Sequence, residues 1–209
     1  MDTNLSLYVV ASLALILTPG QDMMYVMSRA LAQGRLAGLY SAVGVIIGIL
    51  VHTVLAALGV GAILAASEGL FLVLKLAGAA YLVYLGIRLL LTRDAAVAAR
   101  ANGQRFSPAS LVWQGVLSNV SNPKIVVFFF AFLPQFVDPR SANPTLDLVF
   151  LGVLYAAMGL VVKAGVGLAA GSLSERILQR PRAMVWVNRA SGGILVALGL
   201  RLAAAPQTP

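Results

Sequence analysis

The sequence predicts an all-α integral membrane protein. Its six transmembrane helices form two inverted three-helix repeats, and the first helix of each half is broken at a proline. Three observations predict this. Of 209 residues, 60% are hydrophobic and only 11% are charged. Six apolar runs are long enough to cross a bilayer. The first and fourth of these runs each carry a polar proline motif well inside the apolar stretch.

Composition sets the class. A soluble domain is about half apolar and about a quarter charged. Too little polar material is present here to clothe a soluble fold, and the mean hydropathy is +0.91. No cysteine occurs, which excludes disulfides and thiolate metal sites. The single histidine, His52, excludes multi-histidine metal motifs, so no metal or other cofactor is expected. The net charge of +8 would point to nucleic acid in a soluble chain. Here the basic residues lie mainly in short loops and at helix ends, where they orient the chain in lipid, and no nucleic-acid partner is expected. The N-terminal "MDTNLSLYVV" has no Lys or Arg before its apolar run. It therefore reads as the start of the first helix rather than as a cleaved leader.

The spans fall at about 5–27, 38–64, 69–91, 109–134, 146–172 and 184–204. They are long and continuously apolar, unlike the short alternating strands of a membrane barrel. The first connection carries Arg29 and Arg35. The third carries Arg93, Arg100 and Arg105, with Arg88 nearby, and the fifth carries Arg176, Arg180 and Arg182. The second holds Glu68; the fourth holds Asp138, Arg140 and Asp147. The positive-inside rule then places loops one, three and five in the cytoplasm and both termini outside. The chain is one membrane domain over 1–209: repeat one at about 5–91, a cytoplasmic linker at about 92–108 and repeat two at about 109–204. Nothing in the linker has a catalytic pattern.

The halves align. "LKLAGAAYLVYLGIRL" (74–89) matches "VNRASGGILVALGLRL" (187–202), including Gly86-x-Arg88 against Gly199-x-Arg201. Thr18-Pro19 in the first helix of one half answers Asn122-Pro123 in the first helix of the other. An odd number of helices per half gives the halves opposite orientations. Transporters use this design and bind substrate near the midplane, between discontinuous helices.

Proline withholds an N–H and clashes with the preceding turn. In hydrocarbon the freed carbonyls must be satisfied. Ser118, Asn119, Ser121 and Asn122 supply nearby polar groups, so a purely structural kink with polar repair is one explanation. The charges favour another. Asp22 and Lys124 each fall in the first turn after a break, and charges at such depth usually mark pathways or proton relays. The half-helix N-termini also suit a carboxylate. The Asp22 and Lys124 side chains either form a substrate site or pair with each other and hold the halves together.

His52 lies near the middle of helix two and titrates near neutrality, or else simply hydrogen-bonds a carbonyl. Lys163 lies near the middle of helix five and should face a cavity or an acid. Lys75 and Arg189, nearer helix ends, are expected to snorkel to the interface. Gly44-x-x-x-Gly48 and Gly167-x-x-x-Gly171 are expected to pack within the monomer in preference to forming a homodimer face. The Phe128–Phe132 run reads as a packing or lipid-facing surface.

Three stretches resemble the lysine-exporter family, LysE/RhtB: residues 17–52, beginning "LTPGQDMMYV"; 74–90, "LKLAGAAYLVYLGIRLL"; and 117–137, "LSNVSNPKIVVFFFAFLPQFV". The resemblance covers about 5–204. It implies a bacterial inner-membrane exporter of amino acids, with Pro19, Gly20, Asp22, His52, Asn119, Asn122, Pro123 and Lys124 on motif positions. The family's Pro-Gly-Pro reads Pro19-Gly20-Gln21 here, so the Gln21 amide becomes a further candidate substrate group. Lys163 rests on depth alone.

The expected function is proton-coupled export of an amino acid or derivative. Gln21, Asp22, Asn119, Asn122 and Lys124 would bind the substrate, Asp22, His52 and Lys163 would couple protons, and Pro19, Gly20 and Pro123 would form the breaks. No phosphate-binding Gly-x-x-x-x-Gly-Lys-Ser/Thr element is present. A passive small-solute channel is the alternative. An intramembrane enzyme lacks any matching motif.

Overall fold

The computed structural model describes residues 2–66, 68–91, 105–137, 141–172 and 181–204. The linker 92–104 and the loop charges Arg93, Arg100, Asp138, Arg140, Arg176 and Arg180 lie outside the described residues. Of Glu68 and Arg182 only the backbone is described.

The described chain is helical, with no strand. Helix α1 (Asp2–Leu17) ends before Thr18, and α2 (Gln21–Gln33) resumes after Gly20. Gly34, at φ +87°, turns the chain directly into α3 (Arg35–Ala66). A side chain is strained in that left-handed conformation and glycine is not. Helix α4 (Glu68–Leu91) follows. Helix α5 (Pro108–Val120) starts on the hydroxyl cap of Ser107 with proline in its first turn. Helix α6 (Pro123–Val127) runs on through a π turn, Phe128–Phe132, into a 3-10 turn, Leu133–Phe136. Pro134 withholds the next α-type donor at that point. Helices α7 (Pro144–Ser172) and α8 (Pro181–Ala204) complete the order.

The breaks expected at Pro19 and Pro123 are present. They bend α1 against α2 by 50°, and α5 against the α6 segment by 54°. Among the described residues, Arg35–Gly59 and Pro144–Ala170 are each long and apolar enough to cross a membrane. Counting each bent pair as one span raises the number to four. The first broken element reaches Gln33, six residues past the end predicted for its span.

The distribution of side chains is that of a membrane protein. Large apolar groups such as Val43, Ile47, Val54, Phe150, Val161 and Leu168 are exposed, while Asp22, His52, Lys124 and Lys163 are buried. Water as the sole solvent would penalise both. The protein is thus a multi-pass membrane protein. Lys75, expected at the interface, is instead buried at 3% exposure, because the flank of α4 that carries it is packed inside the protein. Arg189 is exposed.

Glycines set the closest helix contacts. Along α3 and α7, Gly38 faces Gly167, Ile46 and Ile49 face Gly159, and Thr53 faces Gly152, so the two helices run antiparallel. Gly44 lies against the backbone of Val112, and Gly48 against Asn119. Both glycines are therefore used within the chain, against α5. On α4 and α8, Gly86 meets Gly192 and Val196, while Gly199 meets Ala79 and Val83, again antiparallel. The Phe128–Phe132 run is an inner packing surface. Phe128, Phe129 and Phe132 are buried with Tyr8 and Tyr155, and Phe128 lies 4.7 Å from the Tyr155 ring. The Tyr8 hydroxyl donates to the carbonyl of Leu151 at 2.6 Å, tying α1 to α7.

Candidate functional site

The two breaks face one another in the interior, and each proline determines what lies opposite. An unbroken α-helix would have the N–H of residue 19 donate to the carbonyl of Leu15, and that of residue 123 to the carbonyl of Asn119. Pro19 and Pro123 have no N–H. The Leu15 carbonyl instead accepts from Lys124 Nζ at 3.0 Å, and the same ammonium donates to the carbonyl of Thr18 at 3.1 Å. The Asn119 carbonyl accepts from the backbone N–H of Asn122 at 2.9 Å, and His52 Nε2 lies 3.3 Å from it. A lysine from the second half thus repairs the first break, and a histidine from the first half sits on the second.

Local sequence fixes these positions. The Asn122 side chain caps α6 by accepting from the backbone N–H of Lys124 at 3.1 Å. This cap anchors the lysine backbone while its side chain crosses to α1. A Cβ at Gly20 would lie 3.1 Å from Lys124 Nζ, so the glycine leaves room for the ammonium. The α1 carbonyls also present the negative end of that helix to the cation.

Asp22 is the buried anion, 2% exposed. Its Oδ2 accepts from Asn119 Nδ2 at 2.8 Å, across the two halves. Lys163 Nζ, from α7, lies 3.9 Å from the same oxygen. Asp22 and Lys124 make no ion pair within 4.0 Å. Direct pairing of those two, one of the alternatives raised by the sequence, is therefore not what holds the halves in this conformation. Lys163, chosen from depth alone, is the cation facing the acid.

Four buried polar atoms here have no hydrogen-bond partner: Asp22 Oδ1, Asn119 Oδ1, Asn122 Nδ2 and His52 Nδ1. Native interiors leave few such groups, since each costs about 1–3 kcal/mol. Two of the four are acceptors on the side chains that Oδ2 of Asp22 and Nδ2 of Asn119 already join. Among the described residues no group of three His, Cys, Asp or Glu could hold a metal.

Of the expected site residues, Asp22, His52, Asn119, Asn122, Lys124 and Lys163 are buried in this interior. Pro19, Gly20 and Pro123 form the breaks beside it. Gln21 does not join them; it is exposed at the start of α2, because the helix turns the adjacent Asp22 inward and position 21 outward. Sequence reasoning missed the backbone carbonyls as partners of Lys124, although counting four residues back from Pro19 identifies the first of them. It also missed the cross-links from Tyr25 and Arg29 to the second half, and from Gln33 to Phe106 at the end of the linker.

Broken helices, a buried charged cluster between two halves and an apolar exterior define a membrane transporter. The chain belongs to the family described as LysE type translocator, which residues 13–205 match. Its members are efflux transporters and not enzymes. The chain is 34% identical over 198 residues to an uncharacterized membrane protein of Vibrio cholerae, covering 95% of each. It is 31% identical over 201 residues to a homoserine/homoserine lactone efflux protein of Salmonella typhimurium, covering 95% of each. It is 28% identical over 204 residues to a leucine efflux protein of Klebsiella pneumoniae, covering 96% of this chain and 94% of that one. No solved structure is a significant match.

Proposed function

We propose that this protein exports an amino acid or amino-acid derivative across the bacterial inner membrane, driven by inward movement of protons. The observation that carries this is the pair of orphaned acceptors, Asp22 Oδ1 and Asn119 Oδ1, buried where two broken helices meet. An α-ammonium group supplies the donors these oxygens lack. The efflux names of the relatives from Salmonella and Klebsiella support the substrate class.

In this mechanism the ammonium of the zwitterion binds Asp22 and Asn119. The carboxylate draws Lys124 away from Leu15 and Thr18. Asn122 supplies its free amide donor. Protonation of Asp22, with His52 and Lys163 alongside, weakens its hold on the ammonium and couples release to proton influx. The halves then rock about the site.

Six spans in two inverted repeats support such rocking. Helices α4 and α8, each 24 residues, are long enough to cross the roughly 30 Å hydrocarbon core at about 1.5 Å per residue. Their contacts are reciprocal. In the repeat alignment Gly86 corresponds to Gly199, Val83 to Val196 and Ala79 to Gly192. Gly86 meets Gly192 and Val196, and Gly199 meets Ala79 and Val83. A two-fold axis between inverted halves generates this exchange. The positive-inside rule, with Arg29, Arg35 and Arg105 on one side, puts α2's C-terminal end in the cytoplasm and both termini outside.

The test uses purified protein in proteoliposomes loaded with labelled amino acids, among them homoserine and leucine, under an imposed pH gradient. Gradient-dependent transport of at least one substrate, lost in Asp22→Asn, is the expected result. Transport no faster than in protein-free vesicles across the panel, or no effect of Asp22→Asn, rules the proposal out. Electrical recording separates the passive-channel alternative, which passes far more charge than a carrier.

A further inference from the structure

We propose that the seam between α2 and α5 is the cytoplasmic gate of the transporter, closed in this structure, with Arg29 as its latch. The gate rests on the exporter assignment and adds to it the moving surface and its residues. Helices α2 and α5 belong to opposite halves and run antiparallel, and polar cross-links from α2 to α5 and to Phe106 just ahead of it run from the buried site to the protein's edge. Asp22 accepts from Asn119 at the inner end at 2.8 Å. Further along, the Tyr25 hydroxyl donates to the Leu111 carbonyl at 2.7 Å. Arg29 Nη2 donates to Gln114 Oε1 at 3.1 Å, and Gln114 in turn donates to Ser110 Oγ at 2.9 Å. At the outer end the backbone N–H of Phe106 donates to Gln33 Oε1 at 2.6 Å. The Arg29 guanidinium lies over the Phe106 ring at 4.2 Å and 5.7 Å from that of Tyr25.

The chemistry of this seam differs from that of two larger interfaces between the halves. The α3–α7 and α4–α8 faces meet through glycines at backbone contact. Separating them forfeits close packing that water does not replace. The outer contacts of the seam, to α5 and to Phe106 ahead of it, are part-buried hydrogen bonds and a cation–π contact. Water replaces such bonds, so the net worth of each is small beside its strength in isolation. The seam therefore opens at less cost than these two glycine faces, which stay together.

Its position gives it a function. A cavity of about 380 Å³, lined by Gln33, Tyr40, Arg105 and Phe106 among others, lies at the seam's outer end. Asp22 lies at its inner end. Moving α2 from α5 releases Arg29 from Gln114 and Phe106, breaks the Asp22–Asn119 bond and joins the cavity to the site. An amino acid then reaches Asp22 from the cytoplasm.

The absence of native cysteine makes the test clean. Two double variants, Arg29→Cys with Gln114→Cys and Gln33→Cys with Phe106→Cys, are reconstituted and linked with a short, reductant-cleavable bis-thiosulfonate. Single-cysteine variants receive the same reagent. Export by each linked pair is expected to fall at least ~10-fold, since gating motion limits turnover. It should recover on reduction, while the singles are unaffected. Undiminished export by either linked pair overturns the gate. If one pair disables the protein even when reduced, the other decides. Wild-type protein that moves no amino acid refutes the exporter assignment instead. The gate itself is then read from spin labels on the same cysteines: a fixed 29–114 distance across pH and added amino acids overturns it.

Discussion

Lys124 stands in for the amide hydrogen that Pro19 lacks. Its Nζ lies 3.0 Å from the Leu15 carbonyl, the acceptor four residues before the proline, and 3.1 Å from the carbonyl of Thr18. The break is thus completed by a side chain 105 positions further along, from the other half of the molecule. Any event that moves Lys124 loosens α1.

A thermodynamic cycle checks this substitution of donors. Lys124→Met removes the cation and strands two buried carbonyls, at about 1–3 kcal/mol each. Pro19→Ala returns an N–H that reaches Leu15 in a continuous helix. In the double variant the loss should be smaller than the sum of the singles by at least ~1 kcal/mol. Thermal melting in detergent measures all four proteins. Additive losses would show that Lys124 does not serve the break.

Asp22 and Lys163 form the buried charge pair of the site. Their charged atoms are 3.9 Å apart and buried. Removing one charge leaves the other uncompensated, which costs about 3–5 kcal/mol in buried pairs. Because 3.9 Å is long for a pair, the lower end of that range is expected. Asp22→Asn and Lys163→Met should each destabilise, and the double variant should regain part of the loss. Export should remain absent in the double variant, because the proposed mechanism needs the carboxylate itself. A double variant that exports at the wild-type rate would remove Asp22 from the mechanism.

His52 is placed to sense the second break. Its Nε2 lies 3.3 Å from the Asn119 carbonyl, and Nδ1 has no partner. His52→Gln keeps a donor near that carbonyl and removes the titratable ring. Melting should change by no more than about 1 kcal/mol, the worth of one neutral hydrogen bond. The pH profile of export should flatten, because the chain's single imidazole is gone. An unchanged profile would limit His52 to a structural role.

The legible part of the fold was what periodicity and punctuation record. Long apolar runs marked the helices, and Pro19 and Pro123 marked the breaks to within a residue, because proline acts on its own backbone. Depth within a run singled out Asp22, His52, Lys124 and Lys163, because lipid makes every polar group expensive. Pairings were not legible. Lys124 reaches carbonyls, and carbonyls are carried by every residue, so no residue type advertises them. Lys75 was misplaced because distance from a helix end says nothing about which flank is packed. Gln21 was misplaced because a neighbour one position away points about 100° around the helix.

The last prediction concerns the reciprocity of α4 and α8. A Cβ at Gly86 would come 2.6 Å from the Gly192 carbonyl, and one at Gly199 would come 2.8 Å from the Ala79 carbonyl. Both neighbours are backbone, so the helices must move apart rather than a side chain swing away. Overpacking of this kind costs about 1–3 kcal/mol. If the two sites are images of one another in inverted repeats, Gly86→Ala and Gly199→Ala should lower stability by similar amounts. Gly193→Ala is the control: nothing lies within 4 Å of its Cβ position. There the substitution should be neutral, or should stabilise by up to ~1 kcal/mol through helix propensity. Melting of the three variants in one detergent gives the comparison. Loss at one of the paired glycines with tolerance at the other would contradict a two-fold relation between the third helices of the two halves.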